Sequence, residues 1–303
     1  MIWVNGSLLP DTTPVFGASD RGALLGDGLF ETLAVRGGVA RHLDRHLARL
    51  TAGARFFGIP LPVPVGDLHE GVEALLAAEG LAGGRAASRA AGGLVGNEAG
   101  GAVGGAVGGA EAGAVLRITL SRGPGPRGLA PPETAHPLLL MTATPHRFET
   151  PRPRRLAISE VVRHPGAVTS RWKTLNYLDS VVALEEARRR GCDDALLPNG
   201  IGGFACATHA NLFIVTADDG PVATPRVEDG ALPGITRGRV IETLRAIGRE
   251  VREVAVDGSG IARADEVFLT NSVAGVVPVE AVGDRVLPAS RPLTEALMEA
   301  MTR

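Results

Sequence analysis

The chain has 303 residues, a formal net charge of −2, a pI near 6.4 and a charged fraction of 21%. This length allows two domains with separate cores. The balanced charge gives no indication of a nucleic acid or of an anionic membrane surface as a partner, so we expect a small-molecule partner. The sequence shows no apolar run of bilayer length and no signal-peptide pattern at its start, so we expect no membrane association.

The two cysteines, Cys192 and Cys206, are too few for a disulfide framework and do not form a CxxC pair. We therefore expect a protein of the reducing cytoplasm without a metal site.

The first 81 residues predict hairpins followed by two helices. The dipeptide Asn5-Gly6 between two short apolar runs is typical of a tight hairpin turn. Apolar residues at Leu43, Leu47, Leu50 and Ala54 have helical spacing. The predicted elements are strands at 2–4, 8–9, 29–35 and 39–42, and helices at 43–57 and 65–81.

The stretch 82–114 is nearly all glycine and alanine and contains the near-repeat GGAVGGAVGGA. Glycine is costly to order and alanine buries little area, so we interpret this stretch as a flexible surface insertion. A phosphate-binding glycine loop is the alternative, but no strand precedes the stretch and no GK[ST] follows it.

The remaining chain alternates short strands with a few helices. The proline- and arginine-rich stretch 145–155 is typical of a linker, so we expect a first domain at 1–144 and a second at 156–303. Because strands outnumber helices and pair mostly as hairpins, the fold class is α+β. The predicted elements are strands at 115–121, 138–143, 156–161, 195–197, 204–207, 212–215 and 266–270, and helices at 176–190 and 236–247.

Lys173 is the only lysine among 31 basic residues. It could be a surface lysine that escaped replacement by arginine. The alternative is that its chemistry requires an amine, because an amine can lose its proton and attack an aldehyde, whereas a guanidinium stays protonated. The second interpretation predicts that Lys173 forms a Schiff base.

The sequence around Lys173 is also recognisable. The run Lys173-Thr174-Leu175-Asn176-Tyr177-Leu178, followed by VVALEEAR and DDALL, resembles the Schiff-base lysine segment of fold type IV pyridoxal-phosphate enzymes. These include D-amino-acid aminotransferases, branched-chain aminotransferases and 4-amino-4-deoxychorismate lyases. Further motifs match in order, namely SDRGALLGDGLFET at 19–32, HLARL at 46–50, NLF at 211–213 and LPGITR at 232–237.

The resemblance covers nearly the whole chain apart from the Gly/Ala stretch. It implies a two-domain fold similar to D-amino-acid aminotransferase, with a small N-terminal α/β sandwich and a larger, β-rich domain that binds pyridoxal 5'-phosphate. It also implies a homodimer with the site near the subunit interface.

For the cofactor phosphate, the resemblance implies Arg49, the amides of Ile235 and Thr236, and the hydroxyls of Thr236 and Ser272. An arginine fork and a helix N-terminus both suit an anion. The alternatives are a solvated helix charge for Arg49 and a plain N-cap for Thr236.

The resemblance also implies that Asn211 belongs to the cofactor site and that Tyr177 lies near the cofactor's phenolic oxygen. It places Phe30 and Arg127 at the substrate, Arg127 as a reader of its carboxylate. A core aromatic and an exposed loop arginine are the alternatives for Tyr177 and Arg127.

Cys206 departs from the family pattern. It stands where the family has a glutamate that hydrogen-bonds the pyridinium nitrogen and keeps it protonated. A neutral thiol does this poorly, so either another group, such as the nearby His209, substitutes or the electron sink is weaker. A weaker electron sink slows transamination more than it slows an elimination that forms an aromatic product.

Two enzymatic functions and one non-enzymatic function are open. The favoured function is a 4-amino-4-deoxychorismate lyase, which eliminates pyruvate and gives 4-aminobenzoate for folate synthesis. LTNS at 269–272 followed by VAGVVPV supports it, as does the lack of a Tyr-Ile-Arg-Pro strand. The alternative is transfer of an amino group from a D-amino or branched-chain amino acid to a 2-keto acid. Phe30 and Leu129 stand where D-amino-acid enzymes have Tyr and His. The third is an inactive cofactor-binding homologue, suggested only by Cys206.

Overall fold

The computed structural model describes residues 1–82, 111–216 and 220–302, and the chain divides into two compact units, Met1–Thr150 and Pro151–Arg303. The mixture of sheets and helices confirms the expected two-domain α+β fold. None of the helices in these residues is long and apolar enough to cross a membrane.

The first unit is built around one sheet with strand order β2-β1-β6-β5-β3-β4. Its elements are β1 Ile2–Val4, β2 Ser7–Leu9, α1 Arg21–Leu25, β3 Gly28–Arg36, β4 Val39–Ala40, α2 Leu43–Phe57, α3 Val65–Ala78, β5 Glu111–Ser121 and β6 Leu138–Phe148.

One face of this sheet forms the core of the first unit. The cross-strand partners Leu33 and Leu116, and Ile118 and Met141, point to the same face and are fully buried. Helix α2 packs against β3 on this face, as its apolar spacing predicts, and it has the predicted bounds. Glu31 is the polar exception on this face and pairs with α2, as described below.

The second unit contains a mixed sheet with strand order β12-β11-β10-β13-β14-β7-β8-β9, in which β15 also pairs with β14. Phe213 and Phe268 are cross-strand partners whose rings stack with centroids 4.8 Å apart, and both are fully buried. The elements are β7 Arg154–Ile158, α4 Val168–Arg171, α5 Leu178–Arg189, β8 Asp194–Pro198, β9 Phe204–Ala207, β10 Asn211–Val215, β11 Val222–Thr224, α6 Ile235–Ala246, β12 Val251–Glu253, α7 Gly258–Arg263, β13 Glu266–Asn271, β14 Gly275–Val282, β15 Arg285–Val286 and α8 Pro292–Thr302.

The expected bounds of the insertion and of the linker are wrong. Residues 111–114, which we assigned to the insertion, begin β5, because they pair with β3 and β6 along a long hairpin. Gly113 is required there, since a Cβ would lie 2.2 Å from the carbonyl oxygen of Val35. The expected linker 145–155 is also shorter, because β6 runs to Phe148 and β7 begins at Arg154. The remainder of the expected insertion, 83–110, lies outside the described residues.

Candidate active site

Lys173 lies in the irregular segment between α4 and α5, four residues before Tyr177, the N-cap residue of α5. Its Nζ donates a hydrogen bond to the hydroxyl of Tyr177, the residue that caps α5, at 3.2 Å. The same Nζ lies 5.1 Å from the centroid of the Tyr177 ring. Lys173 and Tyr177 are both half-buried, whereas the next residue, Thr174, is buried. The lysine is therefore oriented by a specific partner, which a surface lysine rarely has.

The segment before Lys173 is held by Arg163. Its Nε donates to the carbonyl of Gly230 at 3.0 Å, and its Nη2 donates to the carbonyl of Ser170 at 3.1 Å. Ser170 is buried, and its hydroxyl donates to the carbonyl of His164. These bonds hold in place an irregular backbone segment that lacks the regular hydrogen bonds of a strand.

Helix α6 begins at Ile235 and has Gly234 as its N-cap, a residue without a side chain that could accept a hydrogen bond from the first amides. The first amides of a helix have no intrahelical acceptor, so this end is suited to an anion. Thr236, the second residue of the helix, is buried. Ile235 and Thr236 therefore occupy the position that an anion-binding helix start requires.

Asn211 fixes this helix start in place. Its Nδ2 donates to the carbonyl of Leu232 at 2.8 Å, and a Cβ at Gly234 would lie 2.1 Å from its Oδ1. Asn211 thus sets the position of the turn that leads into α6, and Gly234 is needed because no side chain fits between them.

Ser272 lies in the tight turn between β13 and β14 and is half-buried. The turn is shaped by Asn271, whose Oδ1 accepts hydrogen bonds from the amides of Val273 and Ala274 at 3.0 and 2.8 Å.

Cys206 lies on β9 and is buried among small apolar residues that include Ala183 and Ala195. Burial raises the pKa of its thiol; nearby, Arg163 acts to lower it and Asp194 to raise it further. The side chain is therefore neutral at physiological pH. His209, the expected substitute, hydrogen-bonds Thr208 Oγ1 at 2.8 Å, and its Nδ1 lies 3.7 Å from Asp194 Oδ2.

In the first unit, Arg49 is anchored by Glu31. The Nε and Nη2 of Arg49 donate to the two oxygens of Glu31 at 2.8 and 2.7 Å, and His46 Nδ1 lies 2.7 Å from Oε2. Burial alone would raise the pKa of Glu31, but the bonds with Arg49 and His46 outweigh it and hold the pKa below its ordinary value. The bidentate pair fixes the plane of the Arg49 guanidinium.

Phe30 and Arg127 are placed differently within the first unit. Phe30 is buried on β3, with the guanidinium carbon of Arg117 4.0 Å from its ring centroid. Arg127 is exposed in the loop that joins β5 to β6.

Within each unit the structure adds residues that the sequence analysis missed. Glu31 and His46 support Arg49, and Arg163 supports the lysine segment. His42 and His46 also have the i, i+4 spacing of metal ligands, but His46 pairs with Glu31. Among the described residues no group of three or more His, Cys, Asp or Glu side chains could hold a metal ion.

Pyridoxal phosphate requires an amine for its aldehyde, an anion site for its phosphate and a partner for its ring nitrogen. The second unit offers the first two, in Lys173 and in the start of α6, whose first amides have no intrahelical acceptor and lie beside the buried Thr236. Cys206 does not offer the third as a carboxylate would, because it is a neutral thiol. The donor set therefore fits the cofactor, with one departure at the ring nitrogen.

Comparison with known proteins shows the family of the chain. Residues 28–282 match the model of the amino-transferase class IV family. A protein of Methanocaldococcus jannaschii, whose name as a branched-chain-amino-acid aminotransferase is itself provisional, is 29% identical over 94% of this chain and 89% of its own length.

Solved structures are also similar. The 4-amino-4-deoxychorismate lyase of Pseudomonas aeruginosa is 29% identical, with a TM-score of 0.76 over 99% of this chain and 97% of its own. The branched-chain amino acid aminotransferase of Escherichia coli is 23% identical, with a TM-score of 0.85 over 99% of this chain and 93% of its own, and shows the shared fold. The chain belongs to the amino-transferase class IV family and is a pyridoxal-phosphate-dependent enzyme of fold type IV.

Proposed function

We propose that the protein is a 4-amino-4-deoxychorismate lyase, with Lys173 as its catalytic residue. The observation that carries this proposal over aminotransfer is the buried, neutral thiol of Cys206 at the position that the family resemblance gives to the partner of the ring nitrogen. The 29% identity with the Pseudomonas aeruginosa lyase over nearly the whole of both chains supports it.

In this proposal the cofactor supplies an electron sink for the carbon that carries the amino group. Lys173 Nζ takes the proton from that carbon, acting as the general base. The hydroxyl of Tyr177 accepts the hydrogen bond from Nζ and keeps the amine in the orientation seen here. The start of α6, with Thr236, holds the phosphate, and the family resemblance implies the same role for Arg49. Arg127 binds a substrate carboxylate.

Elimination needs less from the ring nitrogen than transamination does. The proton leaves the amino-bearing carbon, the bond from the neighbouring carbon to the ether oxygen breaks, and the three-carbon fragment leaves as the enolate of pyruvate, which takes up a proton to give pyruvate. Loss of these groups makes the six-membered ring aromatic, which itself drives the step. A weak electron sink beside Cys206 is therefore compatible with elimination.

The second candidate is an aminotransferase, which the similarity to the Methanocaldococcus jannaschii protein favours. In it Lys173 Nζ would take up the proton and release it again, and the amino group would pass to a 2-keto acid. This reaction needs a protonated ring nitrogen more strongly, and Cys206 supplies no charge to maintain it.

One assay separates the two. Purified protein, reconstituted with pyridoxal phosphate, is given 4-amino-4-deoxychorismate in one reaction and D- or L-amino acids with 2-oxoglutarate in others. We expect 4-aminobenzoate and pyruvate in equal amounts from the first. Amino-group transfer to 2-oxoglutarate without any release of 4-aminobenzoate would show that the proposal is wrong.

A further inference from the structure

The loop that joins β5 to β6 carries Arg127 but contains almost no regular structure. A buried residue from a distant part of the first unit determines its shape. Arg21, the first residue of α1, is 5% exposed, and its guanidinium points at the loop backbone. Nη1 donates to the carbonyls of Gly128 and Ala130 at 3.2 and 3.0 Å, and Nη2 donates to that of Leu129 at 2.9 Å.

The other end of the guanidinium is fixed as well. Arg21 Nε donates to Asp27 Oδ2 at 2.8 Å, and the same oxygen accepts from Arg122 Nε at 2.7 Å. Burial alone would raise the pKa of Asp27, but the bonds with Arg122 and Arg21 hold it below its ordinary value, so the carboxylate is charged. Arg21 thus connects a charged carboxylate to three consecutive carbonyls of the loop.

The start of the β5–β6 loop is also bonded to the backbone of Arg21. The amide of Arg21 donates to the carbonyl of Gly123 at 2.9 Å. Gly123 has a φ of +84°, and a Cβ there would lie 1.9 Å from the carbonyl oxygen of His136. At Gly125 a Cβ would lie 2.5 Å from Arg21 Cδ. The loop therefore follows the arginine side chain closely from its base to residue 130.

We propose that Arg21 is a positioning residue that sets the place of Arg127 for substrate binding. The proposal rests on the proposed function, in which Arg127 binds a substrate carboxylate. Arg127 directly precedes the three tethered carbonyls, so these bonds limit how far its backbone can move. A lysine at position 21 cannot replace the arginine, because an ammonium group is a single point and cannot reach three carbonyls and Asp27 at once.

Arg122 provides a matched control. It is also buried and also pairs with Asp27, but its other donors bind the carbonyls of Phe57 and Gly58 at the end of α2. Arg122→Lys therefore weakens the same ion pair without releasing residues 128–130.

The tether itself is tested by proteolysis, because trypsin cleaves after arginine and Arg127 is exposed. A protease needs an extended, released backbone on both sides of the bond, so the Arg127–Gly128 bond should be resistant in the wild-type holoenzyme. We expect Arg21→Lys to increase its cleavage rate at least about tenfold, as local opening becomes easier, and Arg122→Lys to leave it unchanged. Mass spectrometry identifies the cut. If cleavage at Arg127 is as slow in Arg21→Lys as in the wild type, there is no tether.

A second variant covers the case in which Arg21→Lys does not fold. Gly125→Ala places a methyl group against Arg21 Cδ and displaces the arginine while keeping its charge. We expect it to increase cleavage at Arg127 in the same way. Slow cleavage in a folded Gly125→Ala protein would overturn the tether as well.

The positioning role is tested by kinetics with 4-amino-4-deoxychorismate. Displacing a group that binds the substrate weakens kcat/KM by about 10- to 100-fold. We therefore expect Arg21→Lys to raise KM by that factor, with kcat and the affinity for pyridoxal phosphate nearly unchanged. Arg127→Ala should raise KM similarly, and the double variant no further, because both act through the same side chain. Multiplying effects in the double variant would overturn the positioning role. A wild-type KM for Arg127→Ala would instead refute the substrate role of Arg127, which belongs to the proposed function.

Discussion

Lys173 and Tyr177 are hydrogen-bonded to each other, with 3.2 Å between Nζ and the hydroxyl oxygen, and each is the only residue of its type in the chain. A single lysine that has a defined partner is a candidate for chemistry that arginine cannot perform. The pair is therefore the most direct place to test the proposed mechanism.

Lys173→Arg should abolish turnover, by at least about 10²-fold, since a guanidinium neither forms a stable imine nor acts as a base at neutral pH. The wild-type protein should be yellow with pyridoxal phosphate, and borohydride should attach the cofactor to Lys173. The variant should be folded but should show neither property. Arg171→Lys, an exposed exchange in the opposite direction two residues away, is the control and should leave colour and turnover unchanged. Cofactor attached elsewhere in the chain would contradict the assignment.

Tyr177→Phe removes the hydroxyl that accepts the hydrogen bond from Nζ and keeps the ring. We expect the cofactor to bind, because Lys173 and the start of α6 are intact, and we expect kcat to fall by about tenfold, the worth of one such hydrogen bond. Stopped-flow measurement of a single turnover isolates the proton-transfer step from product release. A wild-type rate would show that the tyrosine does not orient the lysine.

Glu31→Gln should destabilise the first unit by about 3 kcal/mol at pH 7, because it removes the charge from a buried pair with Arg49. The pKa of Glu31 is depressed in the folded protein, so its contribution is complete above the ordinary value of 4.5 and is lost as the pH falls through the lower folded value. The wild type and the variant should thus differ in stability at pH 7 and converge in acid. Urea unfolding at several pH values measures this.

Glu185→Gln is the control for Glu31. Glu185 pairs with Arg189 on the exposed surface of α5, and such pairs contribute less than about 0.5 kcal/mol. A loss of stability in Glu31→Gln no larger than in this control would mean that the buried pair does not stabilise the fold. If Arg49 binds the cofactor phosphate, Glu31→Gln should also weaken the affinity for pyridoxal phosphate.

Cys206→Glu should raise the rate of the transamination half-reaction more than the rate of elimination, because a carboxylate can keep the ring nitrogen protonated. The gain should reach about 1.5–3 kcal/mol in the barrier if one charge-assisted hydrogen bond forms. Burial at this position opposes ionisation of the glutamate, so variants must be compared at matched stability and full cofactor occupancy. Cys206→Ser, similar in size and neutral, is the control. Equal or lower transamination in Cys206→Glu would mean that another group already serves the ring nitrogen.

The start of β5 predicts where the Gly/Ala stretch can be shortened. Replacing residues 84–109 by a short Gly/Ser linker should leave stability and turnover nearly unchanged, since long loops cost little in closure entropy. Extending the replacement to residue 113 should destabilise the protein. It removes Glu111, which pairs with Arg36 and lies opposite Phe148 on β6, and Ala112, which lies opposite Arg147. Equal melting temperatures for the two deletion variants would contradict this boundary.

Short-range sequence patterns were sufficient to predict individual elements where the pattern was strong. The apolar spacing of Leu47, Leu50 and Ala54 predicted α2 with its observed bounds, and Asn5-Gly6 predicted the first hairpin. Composition misled at 111–114, because the pairing of β5 with β3 and β6 outweighs the poor strand propensity of glycine and alanine. Helix α8 was missed, and its start is fixed by a long-range contact, the hydroxyl of Thr294 with Glu266 at 2.6 Å.

For the site, short motifs predict Lys173, Tyr177 and the start of α6, because the residues within each motif are near one another in sequence. The supporting residues could not be found in this way. Glu31 and Arg49 lie on a strand and a helix, and Arg21 reaches carbonyls more than 100 residues away. Backbone carbonyls have no sequence signature, so contacts such as those of Arg21 become visible only once the chain is folded.

A protein with one lysine concentrates its amine chemistry at one place. Acylating, carbamoylating and glycating reagents that damage other proteins at many surface lysines find here, apart from the chain's terminal amine, only Lys173. Such reagents should therefore inactivate the enzyme in proportion to the label taken up, and bound cofactor should protect it. With Lys173 in its proposed catalytic role, the scarcity of lysine allows nonspecific amine modification to count the active sites.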